Sequence, residues 1–272
     1  MNLNKFSLAY SRDGLTGFLN ILLSKLGFKS RIKNGVEKRL IWLNKFLSKN
    51  LNNKVYQGIY KDMYISKNIW SENDLSSKLL GIYEEEVQKE ILALQKDSLT
   101  KKNILINLGS ADGYHAIGLL RSKLFESAIV FDKDKESFQS FKENLESNNL
   151  KSNIIYHGEA DENFVENLPN LEFDNCFFLI DIEGDEFKIL NHNNLNKIKK
   201  SNIILEFHEK FDERDDKFIN MLKSIFKIKI FINESKNVNR FEILQKLNDV
   251  DRVLTTNENR ICVMKWIVCT PK

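Results

Sequence analysis

The chain has 272 residues, 42% hydrophobic, 11% aromatic and 29% charged, enough apolar material for one large domain, or one domain with a small appendage, and too many charges for a membrane-embedded or low-complexity chain. Its 41 basic and 38 acidic residues leave a formal charge of +3, a near balance that argues against nucleic acid as a dominant partner, because tracking phosphates needs a clear basic footprint. Three cysteines, at 176, 262 and 269, form no Cys-x-x-Cys pair, and Cys176 and Cys262, lying in apolar runs, read as core thiols in a reducing compartment.

In chain order, the apolar stretch from Leu15 to Phe28 is interrupted by Asn20, Ser24 and Lys25 and is too short to span a bilayer. Asp13 precedes it and no small-residue cleavage site follows, so it lacks the form of a secretory signal, and the cytoplasm is the expected location. Helices are expected near 15–26 and 36–49, the second from the spacing of Val36, Leu40, Leu43 and Leu47, with Gly27 and Gly35 punctuating their ends. The basic residues here (Lys25, Lys29, Arg31, Lys33, Lys38, Arg39, Lys45, Lys49) read as a solvated face, with an acidic substrate or a membrane surface as the sharper alternative. Residues 54–66 alternate like a hairpin; residues 74–95 turn helical, with Asp74 as cap and Val87, Ile91 and Leu94 as a stripe. Residues 1–100 thus form a helical and hairpin extension, either a cover for a site, a homo-oligomer contact, or both.

From residue 103 the pattern changes. Strands are expected at 103–107, 127–131, 153–156, 176–182, 202–207, 227–232 and 261–268, and helices at 114–124, 135–148, 185–191 and 213–225, with weaker turns near 162–168 and 239–247. Continuous apolar strands separated by helices indicate an α/β fold, a doubly wound, seven-stranded and mostly parallel sheet over residues 101–272. Ligands of such sheets sit beyond the C-terminal ends of the strands.

Those strand ends carry the informative residues. The first is followed by a glycine turn, Asn107-Leu108-Gly109-Ser110-Ala111-Asp112-Gly113, then a helix. Gly109 removes a side chain where a ligand would approach the backbone, and the turn offers N–H groups at a helix start. The spacing is G-x-x-x-G rather than the G-x-G-x-x-G of dinucleotide sites, and it suits either a pyrophosphate or the methionine end of S-adenosylmethionine. Asp132, 23 residues after Gly109, ends the second strand where a carboxylate can accept both hydroxyls of a ribose, while Asp134 reads as a helix cap. After the third strand Asp161 is placed to meet an adenine, with Glu159 and Ala160 as rivals. The fourth strand ends in Asp181-Ile182-Glu183-Gly184-Asp185-Glu186. Asp181 and Glu183, two apart, share a side for as long as strand geometry lasts; Asp185 and Glu186 read as helix-start acids favoured by the dipole. The fifth strand ends in Glu206-Phe207-His208-Glu209, where His208 can act as a general base. Asp181, Glu183, Glu206 and His208 together have the chemistry to hold a divalent cation such as Mg²⁺.

At INLGSADGYHAIG (106–118), FDKD (131–134), FLIDIEGDEFKIL (178–190) and IILEFHE (203–209) the sequence resembles the FkbM-like family of S-adenosylmethionine-dependent methyltransferases. The resemblance covers roughly 103–209, and its most specific element is Asp-x-Glu-Gly at 181–184. It implies a class I methyltransferase-like fold and O-methylation of a hydroxyl on a sugar, a glycan or another small metabolite. It further implies Asn107, Gly109, Ser110 and Asp112 beside the cofactor's methionine end, Asp132 at its ribose, Asp161 at its adenine, and Asp181, Glu183 and His208 facing methyl transfer. LLGIYEEEVQKEI (79–91) matches segments that precede the core in such proteins and puts Tyr83 and Glu84 near the cofactor. Two departures stand out: Asn107 where the family often has aspartate, which removes a charge from the bond to the cofactor's amino group, and Asp132 where it more often has glutamate. Arg260 is placed either to fix an acidic neighbour or in solvent. Two other readings remain: a nicotinamide-dependent oxidoreductase, weakened by the missing second early glycine, and a non-catalytic binding or assembly protein that keeps the fold.

Overall fold

The computed structural model describes residues 3–26 (backbone only over 3–13), 33–66, 73–97, 100–150, 153–168, 171–258, 260 and 262–272. Gly27, Phe28, Lys29, Arg31, Asn259 and Ile261, on which some of the expectations above rest, lie outside them.

Among the described residues four helices precede the sheet: α1 (Leu3–Lys25), broken at Gly14, α2 (Gly35–Leu51), α3 (Leu75–Leu80) and α4 (Glu85–Lys96). Asn34 and Glu37 close a capping box at the start of α2, whose buried Leu40, Leu43 and Leu47 are part of the expected stripe. The single helix expected over 74–95 is two. Gly81 ends α3 with a left-handed φ of 78°, at a place where a Cβ would lie 2.0 Å from the carbonyl oxygen of Gln57, and Glu84 turns the corner into α4 with φ 49°. The expected hairpin at 54–66 is a short one: beside the bridge of Lys54 to Tyr64, the N–H of Ile65 bonds the carbonyl of Asn53, that of Val55 the carbonyl of Met63 and that of Asp62 the carbonyl of Val55, and Val55, Tyr60, Met63 and Ile65 are all buried. Asp74 stands at the start of α3 without capping it; its carboxylate pairs with Lys78 at 3.2 Å.

Then follow β1 (Ile104–Leu108), α5 (Tyr114–Arg121), β2 (Ser127–Phe131), α6 (Lys135–Ser147), β3 (Ile154–His157), β4 (Cys176–Ile180), α7 (Glu186–Ile189), α8 (His192–Lys197), β5 (Asn202–Phe207), α9 (Glu213–Ile225), β6 (Phe226–Ile232), α10 (Asp249–Leu254) and β7 (Lys265–Pro271). The sheet order is β3-β2-β1-β4-β5-β7-β6, parallel except for β7, which runs antiparallel to β5 and β6. This is the doubly wound, seven-stranded and mostly parallel sheet expected from the strand pattern, with the class I methyltransferase-like fold that the resemblance implies. Side chains alternate between two cores: Leu105, Phe177, Leu179 and Ile204 face one, Ile106, Phe178, Ile180 and Leu205 the other. The first core also takes in Leu43, Leu47, Leu79, Val87 and Ile91, so α2, α3 and α4 share it with the sheet and α5.

Two strands, β4 and β7, differ from expectation by more than one residue. β4 stops at Ile180 because Glu183 takes φ 56°, outside strand geometry. β7 begins at Lys265, which pairs with Phe207 and Ile232, the last residues of β5 and β6; no strand extends further to pair with what precedes it. Cys262, expected in the core, is exposed for the same reason, whereas Cys176 and Cys269 are buried. No helix among the described residues is long and apolar enough to cross a membrane.

Candidate active site

A cleft of about 880 Å³ opens at the C-terminal ends of β1, β2, β4 and β5, within the volume range of small-molecule and cofactor sites. One wall is the glycine turn after β1. Gly109 (φ 79°) and Ser110 both donate their N–H to the carbonyl of Phe131, at 2.9 and 3.0 Å. The reason for glycine at 109 is internal: a Cβ there would lie 1.6 Å from the carbonyl oxygen of Asp181. The turn is therefore pressed against the end of β4, which binds the two halves of the cleft to one another.

Asp132 organises the turn. Its Oδ2 accepts from the N–H of Ala111 at 2.7 Å, and its Oδ1 accepts from the N–H of Asp134 at 2.8 Å and from the hydroxyl of Ser137 at 3.0 Å. Of roughly four lone-pair directions on a carboxylate, these leave about one, on Oδ2. Asp134 caps α6 as expected, accepting from the N–H of Glu136. Asn107 donates its amide nitrogen to the carbonyl of Leu179 at 3.1 Å. Asp112 reaches the cleft wall, but its carboxylate is committed to buried Lys78 at 2.8 Å, a contact that ties α3 to the start of α5. The hydroxyl of Ser110 is buried and bonds to no described residue.

Asn107, Gly109, Ser110, Asp112, Asp132 and Asp181 all line the cleft, as do Glu183, Glu206 and His208. Asp161 does not. It is exposed and accepts from the N–H of Asn163, starting the turn over 161–168, while its neighbours Glu159 and Ala160 line the cleft instead. A position one residue off is enough to move a side chain from the rim into a local turn.

The opposite wall is acidic. Glu206 is 1% exposed; Asp181 and His208 are half-buried; Glu183, carried by the loop rather than by strand alternation, has a side chain 78% exposed. The Nδ1–H of His208 donates to Glu186 at 2.8 Å, and Nε2 stands 3.6 Å from Glu183, 3.7 Å from Glu206 and 3.9 Å from Asp181. Burial alone would lower the imidazole's pKa, but the bond to Glu186 and the charges of Glu186, Asp181 and Glu183 raise it. Burial, with Glu84 and Glu183 nearby, pushes the Asp181 carboxyl up to about 7 against the pull of His208 and Arg260. Burial beside Asp181 and Glu84 likewise pushes Glu206 up to about 10, against Arg260.

Two residues here have roles that the sequence left open or missed. Glu186 reads as an ordinary helix-start acid, yet it is fully buried and orients His208; nothing local distinguishes it from Asp185. Arg260, read as either a clamp or a surface residue, is a clamp. Its Nη1 donates to Glu206 at 2.7 Å, its Nη2 bonds Glu84, and Glu258 lies 3.8 Å from Nε. Glu84 in turn meets Nε2 of His115 at 2.8 Å, and His115 meets the Tyr60 hydroxyl at 2.9 Å. Tyr83 and Glu84 thus line the cleft and close it from the α3–α4 corner.

Glu84 also has a pH signature. Burial would push its carboxyl up, but the His115 hydrogen bond and the charge of Arg260 outweigh burial and hold it at about 2, against an ordinary value of 4.5. A carboxyl depressed in the folded state stabilises above its unfolded pKa, and that contribution is lost as pH falls through the folded value. Stability is therefore expected to fall between about pH 4.5 and pH 2 by on the order of 3 kcal/mol from this group. Urea midpoints measured across that range should show a shallower acid slope in Glu84→Gln; an unchanged slope would assign the loss to other carboxylates.

No family model matches the chain, and no curated protein does. Among solved structures, cofactor-bound Rv0187 from MTB is 8% identical over 94% of this chain and 97% of its own, with a TM-score of 0.47. Precorrin-6y C5,15-methyltransferase from Geobacter metallireducens GS-15 is 11% identical over 68% and 89%, with a TM-score of 0.45. Precorrin 8W decarboxylase from Methanobacterium thermoautotrophicum is 13% identical over 69% and 90%, with a TM-score of 0.44. Likeness at this level concerns the fold, which the strand order already establishes.

Proposed function

We propose that the protein transfers a methyl group from S-adenosylmethionine to a hydroxyl of a sugar, a glycan or another small metabolite. The observation that carries this reading is one cleft with two unlike walls: a glycine turn with a strand-end aspartate, suited to a nucleoside, and opposite it a buried acid–histidine group suited to a reacting hydroxyl. The residues fit the cofactor. Asp132 keeps an oxygen lone pair for a ribose hydroxyl, and the Ser110 hydroxyl, buried without a partner, faces the same turn. Asn107 spends its amide nitrogen on Leu179, leaving its oxygen for an ammonium. Glu159 and Ala160 replace Asp161 on the adenine side.

When bound, the cofactor supplies a methyl group activated by a positive sulfur. The chain's task is to align the acceptor oxygen with it and to handle the acceptor's proton. Asp181, Glu183 and His208 stand where that hydroxyl is held, with Glu186 fixing the imidazole ring and Arg260 fixing Glu206. Acidic side chains around the transferring methyl also favour a cationic cofactor over the uncharged ring of a reduced nicotinamide.

Calorimetric titration with S-adenosylhomocysteine is expected to show micromolar binding, weakened about tenfold in Asp132→Asn, which loses charge but keeps shape. NADH is expected to give no signal. Folded protein that ignores S-adenosylhomocysteine would overturn the proposal, in favour of redox chemistry if NADH binds and of an assembly role if neither does.

A further inference from the structure

The acidic wall holds more unanswered acceptor capacity than a hydroxyl would use. Oε2 of Glu206, on a residue 1% exposed, and Oδ1 of Asp181 are buried atoms that accept no hydrogen bond from any described residue. Nε2 of His208 lies 3.6–3.9 Å from three carboxylates, too far for a hydrogen bond to any of them. An imidazolium that merely balanced these charges would close on one of them. Two ligands bound to one cation at about 2.1 Å each, by contrast, stand up to about 4.2 Å apart, a span that includes the 3.7 and 3.9 Å from Nε2 of His208 to Glu206 and Asp181. The other ring nitrogen of His208 is held by buried Glu186, the arrangement that fixes the tautomer and basicity of a metal-binding histidine.

We propose that Asp181, Glu206 and His208 bind one divalent cation that prefers oxygen ligands, Mn²⁺ or Mg²⁺. Two carboxylate oxygens and one imidazole suit these ions better than a thiolate-seeking metal. The Glu206 oxygen nearest Nε2 of His208 is Oε1, which also accepts from Arg260, so the arginine fixes the carboxylate while Oε2 stays buried without a partner. Glu183, exposed and 3.6 Å from His208, stands outside this group of three and closes over it from the rim. With three protein ligands, about three positions of a six-coordinate ion face the cleft. They fit an acceptor carrying two adjacent oxygens, a vicinal diol or a hydroxyl beside a carbonyl. Binding of the ion is independent of the proposed methyl transfer; its use in holding the acceptor rests on that reading.

The test is a titration of chelator-stripped full-length protein with Mn²⁺, followed by the electron paramagnetic resonance signal of the free ion. One site is expected, with an affinity at least about tenfold weaker in Asp181→Asn and in Glu206→Gln. Glu206→Gln keeps an oxygen for Arg260, and Asp132→Asn, on the other wall, should match the wild type. An undiminished free-ion signal with wild-type protein would overturn the proposal, as would equal binding by both variants with wild-type melting temperatures. Calorimetry with S-adenosylhomocysteine on the same samples separates the two readings. Cofactor binding without Mn²⁺ binding rejects the cation site alone, and Mn²⁺ binding without cofactor binding rejects the methyl-transfer reading alone.

Discussion

Arg260→Ala is expected to destabilise the protein by about 3–5 kcal/mol, the usual cost of stripping one partner from a buried ion pair. The guanidinium bonds both Glu206 and Glu84, which are 1% and 4% exposed, and no other described cation bonds Glu206. Removing it leaves the desolvated Glu84 carboxylate without its guanidinium partner and both oxygens of buried Glu206 unanswered, beside Asp181. The urea midpoint should fall with little change in slope. Arg260→Lys should recover only part of the loss, because an ammonium cannot span two partners as a planar fork does. Destabilisation of less than about 1 kcal/mol would mean that the acidic wall tolerates its charge without the clamp.

The second large effect is expected from Gly109→Ala. The new methyl would lie 1.6 Å from the Asp181 carbonyl oxygen and 2.7 Å from its carbon, at a backbone φ of 79°. Backbone, not a flexible side chain, occupies the space, so the ends of β1 and β4 must part. Strain and lost pairing together are expected to cost at least about 3 kcal/mol. Because the same displacement moves Asp181, binding of S-adenosylhomocysteine should be lost even in protein that stays folded. Gly158→Ala is the control: nothing lies within 4 Å of its added Cβ and its φ is unremarkable, so its stability should change by less than about 0.5 kcal/mol. Equal behaviour of the two variants would show that the turn yields at little cost.

What could be read directly from the order of residues was whatever repeats along the chain. β2 and β5 fall at 127–131 and 202–207, as their apolar runs indicate, and α9 at 213–225. Asp134 caps the next turn because the N–H it serves is two residues away. The Asp132 and Asp181 strand ends came from the same local logic, since a parallel strand stops where the apolar run gives way to charge. That Asp181, Glu183, Glu206 and His208 meet follows from β4 and β5 being neighbours in the sheet.

The other features depend on groups far apart in sequence. Glu186 orients His208 across 22 positions, and Arg260 reaches Glu84 across 176. Asp112, which lines the cleft, also pairs with Lys78, 34 positions earlier. The helix expected over 74–95 breaks at Gly81, whose left-handed backbone leaves helix geometry, and the Asp161 side chain serves its own turn while Glu159 and Ala160 line the cleft. Periodicity shows which face of an element is buried. It does not show which charged group stands opposite, because that follows from how the elements close on one another, and in a low-dielectric cleft that partner decides whether a carboxylate is a clamp, an orienting group or a ligand.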